Sequence, residues 1–431
     1  MRNSPKLFVR PLAATVLLAA VTCGAAGAAS LPTFAGATPL QWSVRMADSE
    51  MARLGDKLVW QEGGAAKWDY TAGLFTLSLL KLDAQAHDAR HLKFAQNAIG
   101  SFISADGNIH GYKVGEYQLD ALNPGKTVLA LWQLTQDERY QKAARLLRRQ
   151  LDSQPRTFDG GFWHKQRYTN QMWLDGLFMA APFYAECGKI FGEPAVFDDV
   201  ARQIRLMEVH AYDPVSGLFY HGWDAAKIQP WANPATGCSS NFWGRAIGWY
   251  GMALVDTLDF LPTNHPARPA IIATLQRLAG GVLRWQDART GLWWQVLDQG
   301  NRPGNYLEAT ASAMFIYTLA KGVNQNELPR GFAPAIWKSY RGLLTNLVTT
   351  NAAGEITLTH CCQVAGLGAS PSNGHPRDGS FEYYVHEPVV GNDLKGVGPF
   401  ILAGIELQKL AATLPPAPQR PAVRRRIPLA E

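Results

Sequence analysis

Residues 244–261, GRAIGWYGMALVDTLDFL, are apolar around nearly the whole circumference when they are drawn as a helix. A second segment, GLFMAAPFYAECGKIF at residues 176–191, has the same character. A helix of this kind is buried on most of its surface. Residues 137–151, DERYQKAARLLRRQL, carry one polar face instead, which is typical of a helix in an outer layer. The chain therefore contains both buried and amphipathic helices.

The same helical spacing, with apolar residues three and four positions apart, recurs in twelve segments. Alternating patterns are scarce, and the two best, EITLTH (355–360) and LWWQVLD (292–298), predict short strands in loops. Buried helices that alternate with amphipathic ones predict an all-α fold, an (α/α)6 barrel with six inner and six outer helices. The predicted helices lie near residues 41–55, 67–82, 86–104, 122–135, 136–152, 172–190, 194–212, 241–261, 266–285, 305–322, 332–349 and 396–412.

Composition and charge exclude several classes of protein. Of the 431 residues, 47% are hydrophobic and 18% are charged, so the chain is not a disordered polyelectrolyte. The formal net charge is +6, but the excess lies before residue 30 and in the arginines after residue 415. A protein that binds nucleic acid carries its excess Lys and Arg on a folded face. The charge distribution therefore argues against a nucleic acid partner.

The two ends of the chain predict processing rather than folded structure. Residues 1–29 contain basic residues, then the apolar run LAATVLLAAV, then small residues, which is the order of an export signal. The apolar run is too short to span a bilayer, so we expect no membrane partner and a periplasmic or extracellular protein. Residues 30–413 form the predicted barrel domain, and residues 414–431, rich in Pro and Arg, form a predicted disordered tail. We expect a monomer or a weak dimer.

Four cysteines would remain in the exported protein, namely Cys187, Cys238, Cys361 and Cys362. Export permits disulfides, but four cysteines in a chain of this length do not make a disulfide framework. No CxxC spacing indicates a zinc site. The pattern therefore predicts buried, unpaired thiols.

Three predicted loops are unusually rich in aromatic and titratable residues. They are residues 160–176, 217–249 and 378–388, and six of the 14 tryptophans of the chain lie in the first two of them. Loop tips on a solvated scaffold usually carry small polar residues. Large aromatic residues among acids, histidines and arginines indicate a concave binding site instead. Aromatic faces that stack on sugars, together with polar groups that bind hydroxyls, favour a carbohydrate ligand.

The loops offer carboxylates, imidazoles and one central arginine for chemistry. Motifs of nucleotide-binding proteins, zinc hydrolases and serine hydrolases are missing in any convincing context. Asp175 and Asp120 are candidate acids, although each also suits the first turn of a helix, where the dipole favours a carboxylate. His164 and His221 are flanked by Trp or Tyr, although a lone loop histidine usually has no catalytic role. Arg245 lies in an apolar helix start and needs an anionic partner, from the protein or from a substrate.

Several of these segments, in order and with natural spacing, resemble the unsaturated rhamnogalacturonyl hydrolases of glycoside hydrolase family 105. The resemblance extends from about residue 41 to about residue 405. It implies a barrel of six helix pairs and an enzyme that needs no metal and no organic cofactor. The matching segments are WSVRMADSEM (42–51), KWDYTAGL (67–74), LDALNPGK (119–126), GGFWHK (160–165), QMWLDGLFMAAPFYA (171–185), GLFYHGWD (217–224), GCSSNFWGRAIGWY (237–250), VAGLG (364–368) and DGSFEYYVHEPVVGNDLKGVGPF (378–400).

The resemblance also implies roles for individual residues. Asp175 matches the catalytic carboxylic acid, and Asp120 matches the second active-site carboxylate. The positions that match substrate-contacting residues are His164, His221, Arg245 and Trp249. The positions that match aromatic walls are Trp68, Tyr70 and Trp173.

The implied substrate is a 4,5-unsaturated galacturonic acid at the non-reducing end of a rhamnogalacturonan oligosaccharide. Asp175 would protonate C4, water would add at C5, and the resulting hemiketal would open and release the adjoining sugar. The nearest alternative is an unsaturated glucuronyl hydrolase that acts on glycosaminoglycan fragments. An epimerase on a similar barrel and a non-catalytic carbohydrate-binding protein are more remote alternatives.

Overall fold

The computed structural model describes Met1 and residues 31–55, 66–368 and 376–414. The predicted export signal and the tail beyond residue 414 lie outside the described residues. Thirteen α-helices are present in this part of the chain, and twelve of them correspond to the twelve predicted segments. The helices are α1 (Pro39–Leu54), α2 (Tyr70–Ala86), α3 (Ala89–Gly100), α4 (Gly125–Thr135), α5 (Glu138–Ser153), α6 (Leu174–Phe191), α7 (Ala195–Ala211), α8 (Gly244–Thr257), α9 (Arg268–Arg284), α10 (Ala309–Asn324), α11 (Ala333–Asn346), α12 (Phe381–His386) and α13 (Leu394–Thr413).

Six of the helices form a closed inner ring. Each of these helices packs on the next in the order α2, α4, α6, α8, α10 and α13. The last, α13, packs on α2 and closes the ring. Every residue of α8 is buried, and so are fifteen residues of the 16-residue α10, because these helices meet neighbours on all sides. The apolar segments singled out in the sequence, α6 and α8, are thus adjacent members of this ring.

The other long helices form the outer layer, each packed on one or more inner helices. In this layer, α3, α5, α7, α9 and α11 each pack on the inner helix that precedes them, and α1 packs on α13. The helix α5 buries only six of its sixteen residues, in agreement with its polar face. The predicted (α/α)6 barrel is therefore confirmed, with the first and last long helices paired across the closure of the ring.

The inner helices all run in the same direction, so their amino ends meet at one mouth of the barrel. The N-cap residues Asp69 of α2, Glu308 of α10 and Asp393 of α13 each accept a hydrogen bond from a backbone N–H of their own helix. Such caps satisfy backbone donors that a helix leaves unpaired at its start. Because every loop that leads into an inner helix ends at this mouth, the aromatic loops converge there.

Eight short strands form four antiparallel pairs within the loops. They are β1 (Gln171–Trp173) with β4 (Gly222–Asp224), β2 (Tyr212–Asp213) with β3 (Leu218–Phe219), β5 (Val348–Thr350) with β6 (Ile356–Leu358), and β7 (Cys361–Cys362) with β8 (Val389–Val390). The strand predicted at residues 355–360 is present as β6. Residues 292–298 form no regular strand, because Trp294 and Val296 each make only an isolated bridge, to Leu307 and Trp243 respectively.

The described cysteines behave as the sequence predicts. Cys187, Cys238, Cys361 and Cys362 are all buried and all unpaired. Burial raises the pKa of the Cys238 thiol, so this sulfur stays protonated at neutral pH. Among the described residues, the helices include none that combines the length and apolar character needed to cross a bilayer.

Two adjacent glycines of α9 provide a test of the packing between the outer helices and the loops. A Cβ on Gly281 would lie 2.0 Å from the carbonyl oxygen of Gly217, whereas a Cβ on Gly280 would meet nothing within 4 Å. We expect Gly281→Ala to lower the free energy of unfolding by about 1–3 kcal/mol, because backbone has to move. We expect Gly280→Ala to raise it by about 0.5–1 kcal/mol, since alanine is the better helix former.

Urea unfolding of the two variants measures both effects. The two substitutions change the same helix by the same methyl group, so the difference between them isolates the contact with Gly217. Equal changes in both variants would contradict the close packing of α9 on the loop before β3.

Candidate active site

The pairing of β1 with β4 brings two distant parts of the chain together at the mouth of the barrel. Trp173 of β1 lies opposite Gly222 of β4, and the N–H of Leu174 donates to the carbonyl of His221 over 3.0 Å. Gly222 has no room for a side chain, because a Cβ there would lie 2.6 Å from Leu367 and 3.0 Å from the Trp173 ring. The first turn of α6, which carries Asp175, is therefore held beside His221.

Asp175 and His221 face each other across a short gap. Oδ2 of Asp175 and Nε2 of His221 are 3.1 Å apart. The two atoms are buried but are not aligned for a hydrogen bond, and neither makes one elsewhere within the described chain. The other ring nitrogen, Nδ1, shares a hydrogen bond of 2.8 Å with the hydroxyl of Tyr384. Tyr384 of α12 thus fixes the imidazole so that Nε2 points at the carboxylate.

Asp120 belongs to a second cluster, which lies in the turn before α4. Its Oδ2 is 2.5 Å from Nζ of Lys165, and its Oδ1 is 3.2 Å from Nε2 of His164. The N–H of Leu119 donates to the carbonyl of His164 over 3.0 Å, which joins the turn to the irregular segment that carries both partners. Adjacent residues of the FWHK motif therefore bind the two oxygens of one carboxylate.

Opposing effects act on the pKa of the Asp120 carboxyl. Burial raises this pKa, but the charges and hydrogen bonds of Lys165 and His164 lower it by more, so the pKa is well below its usual range. Burial also lowers the pKa of the Lys165 ammonium, but Asp120 raises it by more. Asp120 and Lys165 are thus both charged at neutral pH, as a buried ion pair requires.

Trp173 separates the two clusters and contacts both. Its ring stacks on His164 with centroids 4.8 Å apart, and its edge meets His221 at 5.3 Å. Tyr168 stacks on the same indole at 4.6 Å. His164 also packs on α6, since a Cβ on Gly176 would lie 2.8 Å from its Nδ1. Trp173 thus lies between the two histidines, and its role as an aromatic wall for a substrate stays a prediction.

Arg245 is buried at the start of α8, with 1% of its surface exposed. Its Nη1 donates to the carbonyl of Cys362, and the guanidinium lies 4.8 Å from the Trp243 ring centroid. Glu308 accepts a hydrogen bond of 2.9 Å from the N–H of Cys362. The arginine makes no ion pair with an acid in the described chain. Burial lowers the pKa of its guanidinium, but the ionisable side chains of Cys362 and Glu308 beside it raise that pKa by more.

The remaining predicted residues line the same mouth. Trp249 is buried, stacks on Phe178 with centroids 4.8 Å apart and meets the Tyr70 ring edge-on at 6.1 Å. Trp68 donates from its indole nitrogen to the carbonyl of Ala121 over 2.8 Å, so it supports the turn that carries Asp120. The structure thus brings all nine predicted residues to one end of the barrel, and their contacts with a substrate remain predictions.

Three residues of this end were not predicted from the sequence, namely Lys165, Tyr384 and Glu308. Lys165 directly follows His164 in a quoted motif, and Tyr384 lies in a loop already noted for its aromatic residues. Glu308 directly precedes an apolar helix, and this N-cap position is the feature of the sequence by which it could have been identified.

One group of side chains in the described chain has the spacing to hold a metal ion. It consists of Asp48, Asp88 and His91, and it lies between the outer helices α1 and α3. Arg90 already pairs with both aspartates, at 3.2 Å and 2.6 Å. The group contains none of the residues at the mouth of the barrel.

Comparison with known proteins assigns the fold to a family. Residues 42–411 match the family model described as Glycosyl Hydrolase Family 88. A solved glycoside hydrolase of family 105 from Clostridium acetobutylicum (C. acetobutylicum ATCC 824) is 43% identical, with a TM-score of 0.81, and the match covers 85% of this chain and 99% of that one.

Two further relatives have printed activities on unsaturated sugars. An unsaturated rhamnogalacturonyl hydrolase, YesR of Bacillus subtilis, is 32% identical over 255 residues, which is 57% of this chain and 68% of the relative. The solved unsaturated glucuronyl hydrolase of Bacillus sp. GL1 is 14% identical with a TM-score of 0.62, over 86% of this chain and 96% of that one. At that identity the second likeness shows the fold alone.

The ion pair of Asp120 and Lys165 predicts a stability loss that depends on pH. Removing the cation by Lys165→Met leaves a buried carboxylate, so we expect the free energy of unfolding to fall by about 3 kcal/mol at pH 7. The lowered pKa of Asp120 stabilises the fold above about pH 4, and that contribution disappears as the pH falls and the carboxyl becomes protonated. The difference in the free energy of unfolding between the variant and the parent therefore becomes smaller below about pH 4.

Urea unfolding at pH 7 and pH 3 measures this difference. Lys113→Met removes the same charge from a side chain that is 75% exposed, and it serves as the control with an effect near zero. A loss of equal size at both pH values would argue against the pairing.

Proposed function

The chain belongs to the glycosyl hydrolases of families 88 and 105, and we propose that it releases 4,5-unsaturated galacturonic acid from the non-reducing end of rhamnogalacturonan oligosaccharides. At the coarser level, the family is one of glycosidases that act on unsaturated uronyl residues. The resemblance to the rhamnogalacturonyl hydrolase of Bacillus subtilis at 32% identity supports the finer substrate assignment. The substrate is a small oligosaccharide.

The observation that carries the proposal concerns two facing atoms without hydrogen bonds, one on Asp175 at the start of α6 and one on His221. Oδ2 of Asp175 and Nε2 of His221 are buried, 3.1 Å apart, and without hydrogen bonds in the described chain. Buried polar atoms in folded proteins nearly all have a partner. A bound sugar or a water molecule provides that partner here, and an acid beside an imidazole suits proton transfer.

The first chemical step is proton transfer from the Asp175 carboxyl to C4 of the substrate. The C4=C5 double bond is conjugated with the ring oxygen, so protonation at C4 leaves a positive charge shared by C5 and that oxygen. A single donor is enough, because the reaction does not begin at the anomeric carbon as ordinary glycoside hydrolysis does.

The second step is addition of water at C5. The water oxygen forms a bond to C5, and its proton returns to the Asp175 carboxylate, so the acid is regenerated. The product is a hemiketal, whose ring opens to a ketone at C5 and a hemiacetal at C1. The hemiacetal then breaks its bond to the adjoining sugar, which leaves as an alcohol.

The orientation of the inner helices favours an acidic sugar at this mouth. The amino end of a helix carries partial positive charge and unpaired N–H groups, which bind anions. Six such ends meet where Asp175 and Arg245 lie. We propose that the substrate carboxylate binds among these ends and that Arg245 contributes its charge there.

Rhamnogalacturonan is preferred over glycosaminoglycan fragments in this proposal. The alternative, an unsaturated glucuronyl hydrolase, uses the same chemistry on a different sugar. The predicted export signal at residues 1–29 supports action in the periplasm or outside the cell, where pectin fragments arrive.

Replacement of the proposed proton donor tests the mechanism. We expect Asp175→Asn to retain the fold and to reduce turnover by a factor of about 1,000 or more, because an amide cannot supply the proton. The loss of the ultraviolet absorbance that the conjugated double bond of the substrate gives follows the reaction. Asp198→Asn, which changes a side chain that is 79% exposed in the first turn of α7, is the matched control. Near-normal turnover of the Asp175 variant would refute the role.

A panel of three substrates tests the specificity. Unsaturated rhamnogalacturonan disaccharide, unsaturated chondroitin disaccharide and a saturated galacturonide are mixed with the enzyme in parallel, and release of sugar is measured. We expect the first to react fastest and the third not at all, since it lacks the double bond that receives the proton. Faster reaction of the chondroitin disaccharide would favour the glucuronyl alternative, and consumption of the saturated sugar would contradict the chemistry.

A further inference from the structure

A group of buried and partly buried charged side chains lies toward the end of the barrel opposite the candidate active site. Lys81, Glu186 and Lys321 belong to the carboxyl-terminal halves of α2, α6 and α10, and Asp256 belongs to the last turn of α8. These residues line a cavity of about 300 Å³ or lie beside it. The proposed reaction uses none of them.

Lys126 is the central member of this group. It ends the quoted motif LDALNPGK, and it is only 3% exposed. Its Nζ lies 3.6 Å from the centroid of the Phe178 ring and has no hydrogen-bond partner in the described chain. A buried ammonium without a hydrogen bond is costly, and the contact with the Phe178 ring offsets only part of that cost. Lys126 lines the same cavity as Lys81.

Two aromatic rings separate this cavity from the candidate active site. Phe178 has the Lys126 ammonium over its ring and stacks on Trp249, whose own ring meets Tyr70 at the catalytic mouth. These rings thus lie between the Lys126 ammonium and Tyr70. Other lining residues, such as Ala84 and Leu134, belong to the carboxyl-terminal halves of α2 and α4, and the lining includes no member of the Asp175 or Asp120 cluster.

Two of the lysines around the cavity make no ion pair in the described chain. Lys321 binds Asp256 over 2.6 Å and Asp259 over 2.5 Å. Burial raises the pKa of Glu186 to about 8, so this side chain is an uncharged carboxyl at neutral pH. Burial lowers the pKa of Lys126 to about 7, a shift that a bound anion would reverse. Lys81 makes no ion pair in the described chain.

At the adjoining opening, Lys409 and Glu406 are paired over 2.8 Å and neutralise each other. Around the cavity, Lys321 is thus paired, whereas Lys81 and Lys126 make no ion pair in the described chain. A single bound carboxylate would pair with both of these lysines.

We propose that this cavity binds a small monocarboxylate through Lys126 and Lys81, with the apolar part of the ligand against Leu80, Leu134 and Phe260. All three apolar residues line the cavity. The uncharged carboxyl of Glu186 is a further hydrogen-bond donor to the ligand. The largely apolar lining favours an aliphatic carboxylate over a sugar acid, whose hydroxyls would lack partners there.

Calorimetric titration of the full chain with hexanoate tests the proposal. Galacturonate represents a sugar acid, and hexanol and hexylamine represent the same chain without a charge and with the opposite charge. We expect hexanoate to bind and the two non-acids not to bind. Binding of galacturonate in place of hexanoate, with the same dependence on Lys126, would still support recognition of a carboxylate. It would identify the ligand as a sugar acid rather than an aliphatic acid.

Two cavity variants and one surface variant complete the test. Lys126→Met and Lys81→Met each weaken hexanoate binding by about tenfold or more, because each removes a charged hydrogen bond. Lys93→Met removes the same charge from an exposed position of α3 and leaves binding unchanged. In the absence of ligand, we expect the melting temperature of the Lys126→Met protein to equal or exceed that of the parent. The substitution replaces a buried cation that has no hydrogen bond with an apolar side chain of similar length.

The proposal is overturned if hexanoate does not bind, if hexanol binds equally well, or if Lys126→Met binds as tightly as the parent. A Lys126→Met protein that unfolds at a lower temperature would assign Lys126 a structural role instead. Lys81→Met then still tests the site, because its side chain is only partly buried and its removal leaves the inner ring packed.

Discussion

The parallel direction of the six inner helices is the constraint on which the rest of the structure depends. Because each inner helix is followed by an outer helix that returns the chain, every loop that leads into the ring ends at the same mouth. Residues far apart in sequence, such as Tyr70, Asp175 and Arg245, therefore meet there. The same direction places six amino ends, with the positive ends of their helix dipoles, around the site.

Within that mouth, a small amount of β-structure does the positioning. The three-residue pairing of β1 with β4 sets Asp175 beside His221, and the absence of a side chain at Gly222 lets the Trp173 indole lie close to the backbone. The indole then keeps the Asp120 cluster and the Asp175 cluster apart. Lys165 keeps the Asp120 carboxylate ionised. Asp175 instead faces the imidazole of His221, and its Oδ2 makes no hydrogen bond in the described chain. The two acids are thus suited to different roles.

The sequence predicted the barrel and the residues of its mouth well, but not how those residues pair. The apolar circumference of α6 and α8 directly reports burial in an inner ring, which is why the architecture could be predicted. The six-residue helix α12 is too short to show a helical period, so the position of Tyr384 could not be foreseen. The strand predicted at residues 292–298 was wrong, since apolar residues buried in an irregular loop give the same pattern as a strand.

The pairing of Lys165 with Asp120 shows a second limit of sequence reasoning. Lys165 follows His164 directly, and neighbouring side chains in an extended segment normally point to opposite sides. Here the segment is irregular, and both side chains reach the same carboxylate. Only the tertiary structure, through the bond from Leu119 to the His164 carbonyl, brings the turn of Asp120 within reach of both.

The four buried, unpaired thiols have a consequence for how the folded chain responds to its surroundings. No element of the described chain is held by a disulfide, so neither glutathione nor an oxidant changes its covalent framework. A thiol-modifying reagent gains access only when the barrel opens. Cys187 lies within the inner helix α6, and Cys362 lies beside Arg245 at the catalytic mouth. The alkylation rates of these two sulfurs therefore report separately how often each of the two regions opens locally.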